Sequence, residues 1–178
     1  MRDFTIGLAV GWSVLTLLGV LLFQTPQPVD HVTQLNIFRE LLSAYTPLLT
    51  PLSSAMGASS LGGGAAYGVL PLLSWLTASG IVGVSLRNPA KSAKATFATA
   101  LIILLLWITS AFIAAPTWGD SKTWLNTVDA MASDLLLNRP IDLLSALILP
   151  PAVSALTASI LEKRSVRAEI TEEDYLFY

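Results

Sequence analysis

Few residues in this chain have the type and setting for chemistry. Ser13, Ser74, Ser79, Ser145 and Ser154 fall within long apolar runs, and each could act as a nucleophile if a base reached it. No Asp, Glu, Lys, Arg or His lies in the cores of those runs, and the one nearby charge, Asp142, is expected at a rim. His31 is the sole histidine; beside Asp30 it reads as a surface or capping residue. The "GGG" of residues 62–64 lacks the flanking strand and the Lys-Ser/Thr end of a phosphate loop. With no cysteine, thiolate chemistry and the usual structural zinc sites are excluded. Ionisable groups inside a membrane are costly and mark proton relays and coupled transport, so their absence from the apolar cores argues against both. The expectation is a protein that is not an enzyme, with no catalytic residue, no metal and no cofactor. A bound lipid or quinone is left open beside Trp75 and Trp107, whose indoles need acceptors at mid-membrane. Packing is the reading preferred for both.

Two other patterns concern shape. Small residues recur at helical spacing: Gly7, Gly11 and Gly19; Gly64 and Gly68; Ser79 and Gly83; Ala155 and Ser159, with Ala152, and Ser154 with Ala158 as a second pair. Such spacing lets helix backbones approach closely in lipid, where hydrophobic burial gives no advantage. Pro150 and Pro151 interrupt an apolar run and free the carbonyls of Ala146 and Leu147; with Pro71 they are read as kinks.

The elements that carry these residues are membrane helices. Of 178 residues, 53% are hydrophobic and 12% charged, half the charge usual in soluble domains. Mean hydropathy is +0.66, and the net charge of −2 offers no footprint for nucleic acid. Four stretches reach the roughly 20 apolar residues that span a bilayer, at about 5–23, 65–86, 95–115 and 141–161. The first is too long for a signal-peptide core and lacks a small-x-small cleavage site, so it is read as an uncleaved span. Arg2, Arg87, Lys91, Lys94, Lys163, Arg164 and Arg167 fall on one side, against Arg39, Lys122 and Arg139 on the other, which predicts both termini inside. The fold expected is an all-α integral membrane protein, a four-transmembrane-helix bundle forming a single domain over 1–161.

Two amphipathic helices are predicted outside, at about 31–46 and 121–137. Either they roof the bundle or they dock an external partner, with Trp118 and Trp124 at the membrane surface. The Pro-, Ser- and Gly-rich stretch between the first of them and span two is expected as a surface linker, a re-entrant loop being the alternative. Residues 162–178 form a cytoplasmic tail that passes from basic to acidic and ends on Tyr175, Leu176, Phe177 and Tyr178. An exposed aromatic end needs a surface to cover it.

The run "LLSWLTASGIVGVSLRNPAKSAKATF" has the layout of many small prokaryotic membrane proteins, and N-x-S/T sequons are absent. The reading is a multi-pass, prokaryotic plasma-membrane protein, its partners being the lipid bilayer and other membrane subunits. Its expected role is a non-catalytic accessory subunit of a larger complex. The alternative is an oligomeric channel or facilitator for a neutral or lipid-like solute.

Overall fold

The computed structural model describes residues 2–23, 35–117 and 120–176, with side chains to Lys163. It is all-helical, with no strand among the described residues. The helices are α1 (Arg2–Phe23), α2 (Asn36–Tyr45), α3 (Pro51–Ala55), α4 (Leu70–Leu86), α5 (Pro89–Ile113), α6 (Ser121–Ser133) and α7 (Pro140–Leu176). Three of them are long and apolar enough to cross a membrane: Arg2–Phe23, Pro89–Ile113 and the Pro140–Lys163 part of α7. α4 is apolar but has 17 residues, about 26 Å of helix against a hydrocarbon core near 30 Å.

α4 starts later than its hydropathy suggests, and two expectations fall with that. Gly68 adopts a φ of +59°, a left-handed turn that ends the preceding loop. Pro71 then occupies the first turn of α4, where its missing N–H costs nothing, so it starts the helix and does not kink it. Gly64 and Gly68 thus lie in a loop and not on a span. Pro150 and Pro151 lie inside α7, whose helical assignment continues through both and on to Leu176. The expected tail is therefore, from residue 162 to Leu176, an extension of α7.

α1 and α7 each pack against both α4 and α5, while α4 and α5 also touch, giving a four-cornered bundle. Its lower end gathers Arg2, Leu86, Pro89 and Lys163; its upper end gathers Phe23, Leu70, Ile113 and Pro140. The lower half is tight because glycines remove the side chains at the crossings. A Cβ on Gly7 would stand 2.5 Å from Leu86 Cδ1, one on Gly11 2.9 Å from Thr99 Oγ1, and one on Gly83 2.6 Å from the Ser154 carbonyl. The upper half is splayed and filled by other chain.

Candidate functional site: a loop clamped into the upper half

The filling comes from the end of α2 and the segment that follows it. α2 does not lie flat across the bundle: its buried face, Leu42, Ala44 and Tyr45, wedges against α1 and α5. Gly19 makes room for it, since a Cβ there would be 3.1 Å from the Ala44 carbonyl. The Tyr45 hydroxyl meets Thr16 Oγ1 at 2.9 Å and accepts Trp12 Nε1 at 3.3 Å. Thr16 is seven positions below Phe23, about 10 Å along the axis, so α2 enters the bundle deeply.

Pro47 then turns the chain through a short 3-10 helix, Pro47–Leu49, and Pro51 opens α3. Pro47, Leu48, Leu49, Thr50 and Pro51 are all buried. Backbone at this depth has few partners of its own, and the two deep tryptophans supply some of them. Trp107 Nε1 donates to Thr46 Oγ1 at 3.0 Å, and Trp75 Nε1 donates to the Leu48 carbonyl at 2.8 Å. The indole N–H groups and the turn satisfy each other. The first part of the stretch expected as a surface linker, residues 46–51, is therefore packed, and Ser54, Ser60 and Leu61 are buried farther along, whereas residues 56, 57 and 62–66 are exposed as expected of a linker.

Its far side is held by the junction between α6 and α7. Asp142, expected at a rim, is only 2% exposed. Its Oδ1 accepts the backbone N–H groups of Leu52 (2.9 Å) and Ser53 (2.8 Å), and its Oδ2 accepts the Ser53 hydroxyl. It caps α3 from another helix, using a charge where a local Ser or Asp would usually serve. One turn earlier, Arg139 Nη1 donates to the Ser59 carbonyl at 2.6 Å while Nη2 pairs with Asp134 at 3.2 Å. Asp134–Asn138 forms a π-helical turn, which aims Arg139 and Asp142 back at the loop. Ser54 Oγ to the Gly68 carbonyl (2.9 Å) and Tyr67 hydroxyl to the Phe23 carbonyl (3.2 Å) close the remaining ends.

A second polar cluster binds α5 to α7 in the lower half. Thr96 Oγ1 donates to Ser154 Oγ at 2.6 Å, which donates to the Pro151 carbonyl at 3.0 Å, and Ser92 Oγ reaches the Ser154 carbonyl at 3.2 Å. Ser79 is buried beside this level with its hydroxyl unpartnered. A shallow crevice lined by Pro51, Leu72, Trp75, Ser145, Leu149 and Pro150 lies where α3 and α4 meet α7, and it is too narrow to enclose even a water molecule.

The residues picked from sequence distribute unevenly over these features. Gly7, Gly11, Gly19, Ser79 and Gly83 are buried at helix contacts, whereas Ala155 and Ser159 are half-buried and their neighbours Ser154 and Ala158 are buried instead. Trp124 turns inward: its Nε1 donates to the Ala111 carbonyl at 2.8 Å and its ring meets Phe112 edge-on at 6.1 Å. Trp118, Phe177, Tyr178, Asp30 and His31 lie outside the described residues, as do the side chains of Tyr175 and Leu176. Sequence reasoning missed Tyr45, Thr46, Ser53, Arg139 and Asp142. Pro140 two places before Asp142 was an available signal, since it starts the helix and sets the carboxylate in its first turn. No protein-family model, curated protein or solved structure matches the chain.

Proposed function

We propose that this protein is a non-catalytic accessory subunit that packs within a larger membrane complex and stabilises it. One observation carries the reading: the conspicuous polar side chains of the upper half, from Tyr45 to Asp142, are spent on holding residues 46–53 in the bundle. Such a unit presents a fixed shape to its surroundings. In this reading α4 is the fourth span, both termini face the cytoplasm of a prokaryotic cell, and α6 lies on the outer side. The exposed Leu136, Leu137 and Met56, at 59%, 78% and 81%, then form an apolar rim for an extracytoplasmic partner. Native mass spectrometry after gentle extraction from the native membrane tests this. Defined heteromeric partners are expected, and recovery of the chain only as monomer or homo-oligomer would overturn it.

A second reading, an oligomeric facilitator for a neutral or lipid-like solute, draws on a different observation. Ser13, Thr77 and Thr109 are exposed on the bundle's outer faces, and nothing lies within 4 Å of a Cβ built on Gly80. In an oligomer such faces could line a path between protomers. Solute flux into liposomes holding the purified protein alone would favour this reading over the first.

A further inference from the structure

Arg87 closes α4 at φ 49° and ψ 18°, the one positive-φ residue other than glycine among those described. Glycine or asparagine ordinarily takes this left-handed place, because a Cβ is crowded there. The backbone task at this position, an N–H donated to the Gly83 carbonyl at 3.0 Å, would be done equally well by glycine. The strain therefore has to be sought in the side chain. The Arg87 guanidinium is exposed and forms no hydrogen bond or ion pair with a described residue.

Its surroundings are cationic. The packing of Gly7 on Leu86 and Ala95 brings the first turns of α1 and α5 to the end of α4. Arg2, Arg87, Lys91 and Lys94 thus share one rim, with Lys163 farther down α7. Among the described side chains, the acidic ones there are Asp3, engaged by Lys91 at 2.7 Å, and the exposed Glu162. Just inside the rim, Phe4, Val84 and Phe97 expose large apolar surface, each two or three positions from Arg2, Arg87 and Lys94. Cations bordering a lipid-facing apolar band match the two ends of one molecule.

We propose that Arg87, with Arg2 and Lys94, binds the phosphate headgroup of an anionic phospholipid whose acyl chains lie against Phe4, Val84 and Phe97. The site rests on the chain being a membrane protein and is independent of the accessory-subunit reading. Each basic group near an anionic surface contributes about a fivefold gain in affinity, weakened by salt.

The test uses the full-length protein in phosphatidylcholine nanodiscs with and without phosphatidylglycerol, reading Tm by tryptophan fluorescence and bound lipid by native mass spectrometry. Wild type should retain phosphatidylglycerol and gain Tm from it. Arg87→Gly should melt higher than wild type in pure phosphatidylcholine, because the backbone relaxes, yet bind phosphatidylglycerol about fivefold more weakly. Arg87→Lys should keep most of the lipid gain, and Lys94→Gln should lose a share comparable to Arg87→Gly. Equal retention of phosphatidylglycerol by wild type, Arg87→Gly and Lys94→Gln would overturn the proposal, as would a wild type that does not prefer phosphatidylglycerol. Competition by millimolar inorganic phosphate would also count against it, by assigning the rim to a free anion. Loss of heteromeric partners, by contrast, would leave this lipid site standing.

Discussion

Asp142 and Ser53, 89 residues apart, are joined by two hydrogen bonds, one from the Ser53 backbone N–H and one from its hydroxyl. With Leu52 N–H they make the carboxylate a cap for a helix to which it does not belong. The link ties the first third of the chain to its last long apolar helix.

Removing the carboxylate leaves two N–H groups without their acceptor. Asp142→Ala should destabilise by about 2–4 kcal/mol, and Asp142→Asn, which keeps one acceptor, by about 1–3 kcal/mol. Ser53→Ala, which takes the hydroxyl from Asp142 Oδ2 but leaves both backbone donors on Oδ1, should cost about 1–2 kcal/mol. Hydrogen exchange over residues 50–56 and thermal unfolding in detergent would read this order; equal costs would mean that the cap does not hold α3.

The two deep indoles make a second comparison. Trp75→Phe deprives the Leu48 carbonyl of its donor and should cost about 1–2 kcal/mol. Trp107→Phe should cost less, because Thr46 Oγ1 retains a bond to the Leu42 carbonyl. Thermal melts of the two variants, followed by circular dichroism, decide the ranking.

Glycines separate by their surroundings. Gly83→Ala would push a methyl to 2.6 Å from the Ser154 carbonyl and 2.8 Å from Thr157 Cβ, so a loss of about 1–3 kcal/mol is expected. Gly80→Ala meets nothing within 4 Å and should stabilise the isolated chain by up to about 1 kcal/mol. If Gly80→Ala stabilises the purified protein but reduces its recovery in a complex, another helix packs on that face.

Asp120 gives a pH prediction. Its carboxylate accepts the Thr123 N–H at 2.6 Å and the Thr123 hydroxyl at 2.8 Å, and these bonds hold its pKa below the ordinary carboxylate value. A depressed folded-state pKa stabilises α6 above the unfolded value near 3.9, and the contribution is lost as pH falls through the lower folded value. Amide exchange over 121–127 should therefore rise, relative to the rest of the chain, below about pH 4. Asp120→Asn, whose side-chain oxygen caps without titrating, should remove that dependence.

Much of the architecture was legible because it is written locally. Three helices long enough to span follow from the length of uninterrupted apolar runs, and the end of α2 from Pro47. α4 was overextended at its start because Gly64–Gly68 is as apolar as a span, and hydropathy does not register the left-handed turn at Gly68. The packed loop was hidden for a different reason. Its apolar residues and prolines suit a surface segment as well as a buried one, and the groups that settle the matter stand on distant helices. Trp75 and Trp107 showed that acceptors were needed at depth; nothing near them in sequence showed that Thr46 and Leu48 provide them. Asp142 was misread because a charge in the second place of an apolar run resembles an end marker, and only its partners reveal it as a core residue.

The separation between Ser53 and Asp142 also sets a timetable for synthesis. At 5–20 residues per second, the ribosome needs roughly 4–18 s after making Ser53 to deliver the residue that caps it. Throughout that interval α3 has an unanswered amino end and the upper cleft lacks one wall. A nascent chain stalled before Pro140 is thus an unfinished enclosure with apolar turns on show, the form that chaperones and proteases would meet first.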